Sequence, residues 1–171
     1  MEKTVQQGVM RQRDDAKKVS MGSNIVTFKL TGEETGGFYS LTEFIMAAPP
    51  APGPPMHIHG LESEATYVLE GELLFTLGER SIKASKGAVL FVPRGTKHGL
   101  SNLGPGTARI LVILTPPGFE KFWEEMANLL KVSGGKPDPT NVLSLQQKYH
   151  MIPVENHAKF NVAYCKVTTY L

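Results

Sequence analysis

Short runs of strand-forming residues, separated by turns rich in glycine and proline, fill residues 24–116. Glycine accepts positive φ and proline restricts φ, so both residues favour tight turns between strands. No helical period runs through the region, and the turn spacing is typical of a β-sandwich or barrel. The pattern predicts strands in NIVTFKL, FYSLTEFIM, HIH, TYVLEGELLFTLG (turning at EG), RSIKAS, AVLFVP and ARILVILT.

The composition indicates one soluble globular domain. The chain has 171 residues, 41% of them apolar and 20% charged, which argues against a disordered, fibrous or membrane-spanning protein. Lys and Arg number 18 against 16 Asp and Glu, so we expect no charge-driven nucleic acid or membrane partner. Residues 1–23, which include the run RQRDDAKK, are predicted to form a solvated N-terminal arm.

Cysteine usage and the N-terminal sequence favour a cytoplasmic location. Cys165 is the only cysteine, so no intrachain disulfide can form, and the fold must be held by its core or by a metal. The first 15 residues lack the apolar stretch of a secretory signal, and no segment approaches the roughly 20 apolar residues that cross a bilayer.

The period changes after Pro117, where residues 117–171 are predicted to contain one or two helices and a tail that pack on the barrel or on a partner. In GFEKFWEEMANLLK, apolar residues recur at helical spacing, which predicts an amphipathic packing helix. TNVLSLQQKYHM is predicted to form a second helix with Thr140 as its N-cap. The final KFNVAYCKVTTYL fits a last strand, and no role is assigned to residues 156–171.

Four polar residues are candidates for a metal site. Alternate side chains of a strand share one face, so His57 and His59 project together. Glu64 follows a short turn and is expected to return to the same level, which would place three ligands on one hairpin. His98 follows a strand that stops at Pro93, and closure of the sheet is expected to bring it to the other three.

The spacing of these residues forms two motifs. The first consists of HxH, four residues, Glu64, six residues and Gly71. The second consists of Gly87, Pro93, Gly95, His98 and Asn102, which are separated by five, one, two and three residues. These motifs resemble those of the cupin family, with Ala51 where the first motif usually has glycine. The segments TPPGFEKFWEEM and KPDPTNVLSLQQKYHMIPV also resemble the tail of small cupins in the quercetin 2,3-dioxygenase-like group.

The resemblance implies an all-β fold, a double-stranded β-helix or jelly-roll barrel, with one divalent transition metal in its mouth. The implied ligands are His57, His59, Glu64 and His98, and the metal is Fe, Mn, Ni, Co or Zn. Spacing favours Glu64 over Glu62, which we interpret as a solvated turn residue. Many cupins have lost their metal and keep only the barrel, but all four ligand types are intact here. Gly95 and Asn102 are interpreted as structural members of the second motif.

By resemblance, the predicted function is a dioxygenase acting on an aromatic or enolic, flavonol-like small molecule, with Glu64 as the catalytic proton acceptor. The alternatives are a non-catalytic small-molecule or metal-binding cupin and a metal-dependent isomerase or lyase. A homodimer is expected from the family, with NIVTFKL or the helix around Trp123 as its surface. Five apolar side chains are candidates for the cavity wall, although core packing explains each of them as well: Phe44, Met46, Tyr67, Phe75 and Phe91.

Overall fold

The computed structural model describes residues 8–12, 15–49 and 53–154. Ala51, Cys165 and the tail KFNVAYCKVTTYL lie outside the described residues. The elements are, in chain order, β1 (Lys18–Met21), β2 (Asn24–Leu30), β3 (Ser40–Met46), β4 (His57–His59), β5 (Ser63–Glu70), β6 (Glu72–Leu77), β7 (Arg80–Ser85), β8 (Val89–Val92), β9 (His98–Asn102), β10 (Ala108–Thr115), α1 (Glu120–Val132), α2 (Pro139–Lys148) and β11 (Met151–Pro153).

The strands form two antiparallel sheets. The six-stranded sheet has the order β1-β2-β3-β10-β5-β8, and the five-stranded sheet has the order β11-β4-β9-β6-β7. Consecutive strands alternate between the sheets at β4 and β5, as in a jelly roll. The core draws on both sheets and both helices, with Val26, Met46, Leu73, Ile110, Leu114 and Met126 almost fully buried. The predicted all-β class with C-terminal helices is confirmed.

Alternation along the strands determines which side chains face the barrel interior and which face outward. On β5, Glu64, Thr66 and Val68 are buried, whereas Tyr67 between them is exposed. Gly71 separates β5 from β6 with a φ of 87°, in the left-handed region that favours glycine. Two segments predicted as one run therefore become strands of different sheets.

Three strands and one helix cap differ from the sequence-based expectations. β1 lies within the range predicted as an N-terminal arm and pairs with β2, while β9 and β11 were not predicted as strands. The second helix begins at Pro139, and Asp138 is its N-cap, because the Asp138 carboxylate accepts a hydrogen bond from the Thr140 backbone N–H at 2.7 Å. The predicted cap at Thr140 is therefore wrong. Proline suits the first helical turn because its missing N–H would have no partner there.

Helix α1 covers the inside of the barrel. The rings of Trp123 and Phe44 meet edge to face, with centroids 4.9 Å apart. The carboxylate of Glu120 anchors the helix start by accepting hydrogen bonds from the backbone N–H groups of Gly32 and Gly118 at 2.9 and 2.6 Å. Neither helix in the described part of the chain is long and apolar enough to span a bilayer.

Candidate metal centre

Two neighbouring strands of the five-stranded sheet carry the three histidines. His57 and His59 point inward from β4, and His98 begins β9, where it is directly paired with His57. Gly95, with a φ of 81°, forms the turn before His98, and its N–H donates to the His59 carbonyl at 3.0 Å. The predicted turn at Gly95 is thus present and is bonded to the strand that carries the other two histidines.

Glu64 reaches the histidines from the opposite sheet. It lies on β5, which pairs with β10 and β8, whereas β4 pairs with β9 and β11. The expected hairpin between β4 and β5 is therefore wrong, because the short turn after His59 carries the chain from one sheet to the other. Barrel closure is needed for Glu64, while His98 reaches His57 by ordinary strand pairing.

The four side chains converge within a few ångströms. Nε2 of His57 lies 3.3 Å from Nε2 of His59, and one ligand nitrogen from each of the three histidines lies within 4.8 Å of the others. Oε2 of Glu64 lies 3.5 Å from Nε2 of His59 and 3.6 Å from Nε2 of His98. The Thr66 hydroxyl donates to Oε1 of Glu64 at 2.8 Å, which leaves Oε2 to face the histidines.

Backbone carbonyls orient two of the imidazole rings. Nδ1 of His57 donates to the Pro55 carbonyl at 2.7 Å, and Nδ1 of His98 donates to the Thr96 carbonyl at 2.9 Å. With the proton held at Nδ1, the lone pair of each Nε2 faces the cluster. Nε2 of His98 is buried and has no hydrogen-bond partner among the described residues.

This arrangement fits a divalent transition metal. Three neutral imidazoles and a carboxylate are a donor set that suits Fe, Mn, Ni, Co or Zn, and a bound ion would engage the otherwise unpartnered Nε2 of His98. The cluster of His57, His59 and His98 can therefore bind a metal, and Glu64 borders it on the side of His59 and His98.

Burial and charge set the protonation of the cluster. Burial, with the nearby His98 and His59, lowers the pKa of His57 to about 3. Burial also opposes charge on Glu64 and His98, but their mutual attraction outweighs it. The pKa of Glu64 is therefore held well below its usual range, with His59 contributing, and that of His98 is raised. Glu64 is consequently an ionised acceptor at neutral pH.

A small apolar cavity of about 40 Å³ adjoins the cluster. Phe119 forms part of its wall, with its ring edge to face against that of His59 at a centroid distance of 4.4 Å. Phe122 and Trp123 also line it, so the aromatic stripe of α1, interpreted from sequence as packing alone, also closes the site. The helical period could have flagged these residues, but it does not distinguish a core contact from a site wall.

The five cavity candidates have three different environments. Phe44 lines the cavity as predicted. Met46 and Phe75 are buried in the core without lining it. Tyr67 and Phe91 are 43% and 59% exposed, because their positions on β5 and β8 point away from the barrel interior.

Two further polar residues near the site, Glu62 and Asn102, are buried. Glu62, interpreted as a solvated turn residue, is only 5% exposed, so that interpretation is wrong. Its Oε2 lies 3.7 Å from Nδ1 of His59, on the side of the ring away from the cluster. Asn102 is structural, since its side chain bonds the backbone of Ala47, Gly104 and Gly106 at 2.8–3.0 Å.

Residues 44–114 match the family model described as a cupin domain. The matched range begins in β3 and ends in β10, and it contains the three histidines and Glu64. Over these residues the chain is similar to a cupin domain. The finer assignment to the quercetin 2,3-dioxygenase-like group is not established by this match.

Individual proteins similar to this chain include two from Streptomyces species. The polyketide cyclase RemF from Streptomyces resistomycificus superposes with a TM-score of 0.54 at 28% identity, covering 63% of this chain and 79% of that one. The tetracenomycin polyketide synthase protein TcmJ of Streptomyces glaucescens is 29% identical over 68 residues, which are 39% of this chain and 46% of that protein.

A third similar protein is an uncharacterized protein of Methanocaldococcus jannaschii, 34% identical over 62 residues, or 36% of this chain and 50% of that protein. The chain thus spans about half the length of the curated relatives it matches.

Proposed function

We propose that this protein is a metal-dependent cupin enzyme that acts on a small enolic or phenolic compound of the polyketide type. The observation that carries the proposal is the convergence of three histidine nitrogens and the Glu64 carboxylate beside an aromatic wall. Charge at the base of an apolar cavity suits a substrate that combines an acidic hydroxyl with a flat carbon skeleton.

The residues at the site have two proposed roles, binding an ion and accepting a proton. His57, His59, His98 and Glu64 would hold one divalent ion, which would supply the Lewis acidity that makes a carbonyl or hydroxyl group more reactive. Oε2 of Glu64 is ionised and faces the cluster, so it is placed to accept a proton from substrate. Phe119 and Trp123 would exclude water from the reacting groups.

Ring closure is the reaction that we favour. A carbon next to a carbonyl group loses its proton to Oε2 of Glu64 and attacks a second carbonyl carbon of the same molecule. The proton is then delivered to the carbonyl oxygen, so the step needs no oxidant. Similarity to the polyketide cyclase RemF and to the polyketide synthase protein TcmJ supports this choice.

Dioxygenation of a flavonol-like compound, as predicted from the sequence, is the second candidate. It uses the same four ligands and the same proton transfer to Glu64. The resemblance of residues 115–126 and 136–154 to the tail of quercetin dioxygenase-like cupins favours it. The two candidates differ in their need for dioxygen, and this difference decides between them.

The test measures turnover and oxygen uptake together. Protein loaded separately with Fe, Mn, Ni, Co and Zn is assayed with linear and cyclised polyketide phenols and with flavonols, in air and under strict anaerobiosis. We expect turnover under anaerobiosis, and turnover in air that consumes no oxygen. Oxygen consumption in proportion to product would establish the dioxygenase instead, and tight binding without turnover under every metal would establish a binding module.

Two variants connect activity to the proposed ligands. His98→Ala should lose most of its bound metal, measured by elemental analysis, together with its activity. His150→Asn removes an exposed histidine outside the cluster, keeps a residue that tolerates the positive φ of 51° there, and should retain both. Full metal occupancy in His98→Ala would exclude His98 as a ligand. We also propose, from the sequence alone, a cytoplasmic homodimer that does not bind nucleic acid or membranes.

A further inference from the structure

The outer nitrogen of His59 differs from those of the other two histidines. Nδ1 of His57 and Nδ1 of His98 each donate to the carbonyl of the residue two positions earlier. Nδ1 of His59 is buried and has no hydrogen-bond partner among the described residues. The only one of the three rings that lacks a backbone acceptor therefore needs another group to fix its proton.

Glu62 is the group that faces this nitrogen. Its Oε2 lies 3.7 Å from Nδ1 of His59 and, like that nitrogen, is buried without a hydrogen-bond partner in the described part of the chain. A buried carboxylate and a buried imidazole nitrogen that face each other are both costly unless they pair. The 3.7 Å separation is just beyond hydrogen-bond distance.

The turn that carries Glu62 is packed closely against the chain that follows α2. The Gly60 N–H donates to the His150 carbonyl at 2.9 Å, and a β-carbon on Gly60 would lie 2.8 Å from that oxygen. β11 follows directly and pairs with β4, with Met151 opposite His59. The chain returning from α2 therefore covers the turn that carries Glu62 and excludes water from it.

We propose that Glu62 is a positioning residue for the metal centre. Its carboxylate accepts the Nδ1 proton of His59, which orients the ring, selects the tautomer with a free Nε2 and increases the basicity of that nitrogen. Glu62 does not ligate the metal. The proposal rests on the metal site of the proposed function. In it, the Glu62 side chain does for His59 what the Pro55 and Thr96 carbonyls do for His57 and His98.

The test compares two side chains of similar size. Glu62→Met cannot accept a hydrogen bond, whereas Glu62→Gln keeps an acceptor oxygen. We expect Glu62→Met to weaken zinc and cobalt binding by about 10–100-fold in chelator competition, and Glu62→Gln to recover most of that loss. The visible spectrum of the cobalt-loaded protein should change in Glu62→Met, because the orientation of one ligand is no longer fixed.

Controls separate this role from a merely structural one. Glu72→Met, at an exposed position on β6, should leave affinity and spectrum unchanged, and thermal unfolding of the metal-free proteins establishes that each variant is folded. Equal affinities and spectra for Glu62→Met and Glu62→Gln would overturn the proposal. If the unaltered protein bound no metal, the metal site itself would fail, and that result is distinct from a failure confined to Glu62.

Discussion

His57 and His98 are directly paired across two strands, yet their surroundings move their pKa values in opposite directions. Burial and the neighbouring imidazoles lower the pKa of His57 to about 3, so this ring stays neutral above that pH. Glu64 overcomes the burial of His98 and raises its pKa. A histidine must be neutral to bind a metal, so His98 is the histidine of this pair whose proton a metal has to displace.

The first prediction concerns this proton. In histidine NMR titrations of metal-free protein, His98 should titrate above the usual pKa of about 6.5, and His57 should remain neutral at pH 4. Glu64→Gln should lower the pKa of His98, because burial is then opposed only by the hydrogen bond to the Thr96 carbonyl. Glu72→Gln is the matched control. Coincident titration of His57 and His98 would contradict the prediction.

The same protonation sets the pH range in which metal is held. As pH falls through the raised pKa of His98, protons compete for Nε2, so metal should be lost as pH falls toward and below about 6. Elemental analysis after dialysis at each pH measures the loss. Full retention at pH 4 would mean that the metal binds elsewhere.

The elements were predictable where the chain carries its own signal. β2, β4, β7 and β10 have the predicted bounds, because strand-forming residues end there at turns or loops. β9 and β11 are short and lack a run of β-branched residues, so only pairing with neighbouring strands identifies them: β9 pairs with β6 and β4, and β11 pairs with β4. Pairing partners are tertiary information that periodicity does not contain.

The candidate site was predictable to a similar extent. Ligand spacing indicated His57, His59, Glu64 and His98, and these four converge. The sequence did not reveal which sheet carries Glu64, because a four-residue spacing fits both a hairpin and a crossing between sheets. It also missed the burial of Glu62, which depends on a strand arriving from about 90 residues further along the chain.

Helix α1 leads to the next prediction, because it helps to line a cavity of about 40 Å³ that is too small for a polyketide or flavonol. We expect such a substrate to displace the helix or its aromatic side chains, because Phe119, Phe122 and Trp123 line the cavity. Trp123 is the only tryptophan in the chain and is 7% exposed, so its fluorescence reports this movement.

In zinc-loaded protein, saturation with a phenolic substrate should shift the emission of Trp123 to longer wavelength and increase its quenching by acrylamide. Formate, which fits the cavity, should bind without these changes. Phe119→Ala should require less displacement and bind the phenol more tightly, at a cost in stability of about 3–5 kcal/mol. Unchanged emission at saturation would show that substrate enters without moving α1.

The whole molecule has an apolar outer face on its six-stranded sheet. Tyr67 is paired with Val89 across β5 and β8, and Ala65 lies between Phe91 and Ile113, all pointing away from the core. Exposed apolar patches of this kind are typical of interaction surfaces. Of the surfaces suggested by sequence, β2 has both edges paired with β1 and β3, and Trp123 packs on Phe44 inside the subunit.

The last prediction is that the expected homodimer forms through this outer face. Sedimentation equilibrium should give a mass twice the 18.7 kDa of one chain, and Phe91→Lys combined with Tyr67→Lys should give monomers. Lysine at these positions would have to bury its charge in the interface, whereas it is solvated in the monomer, so the fold should be retained.

Ile82→Lys, on the five-stranded sheet, should remain dimeric. A dimer that survives the double substitution must use another surface, and a monomeric unaltered protein would leave the outer face for a different partner.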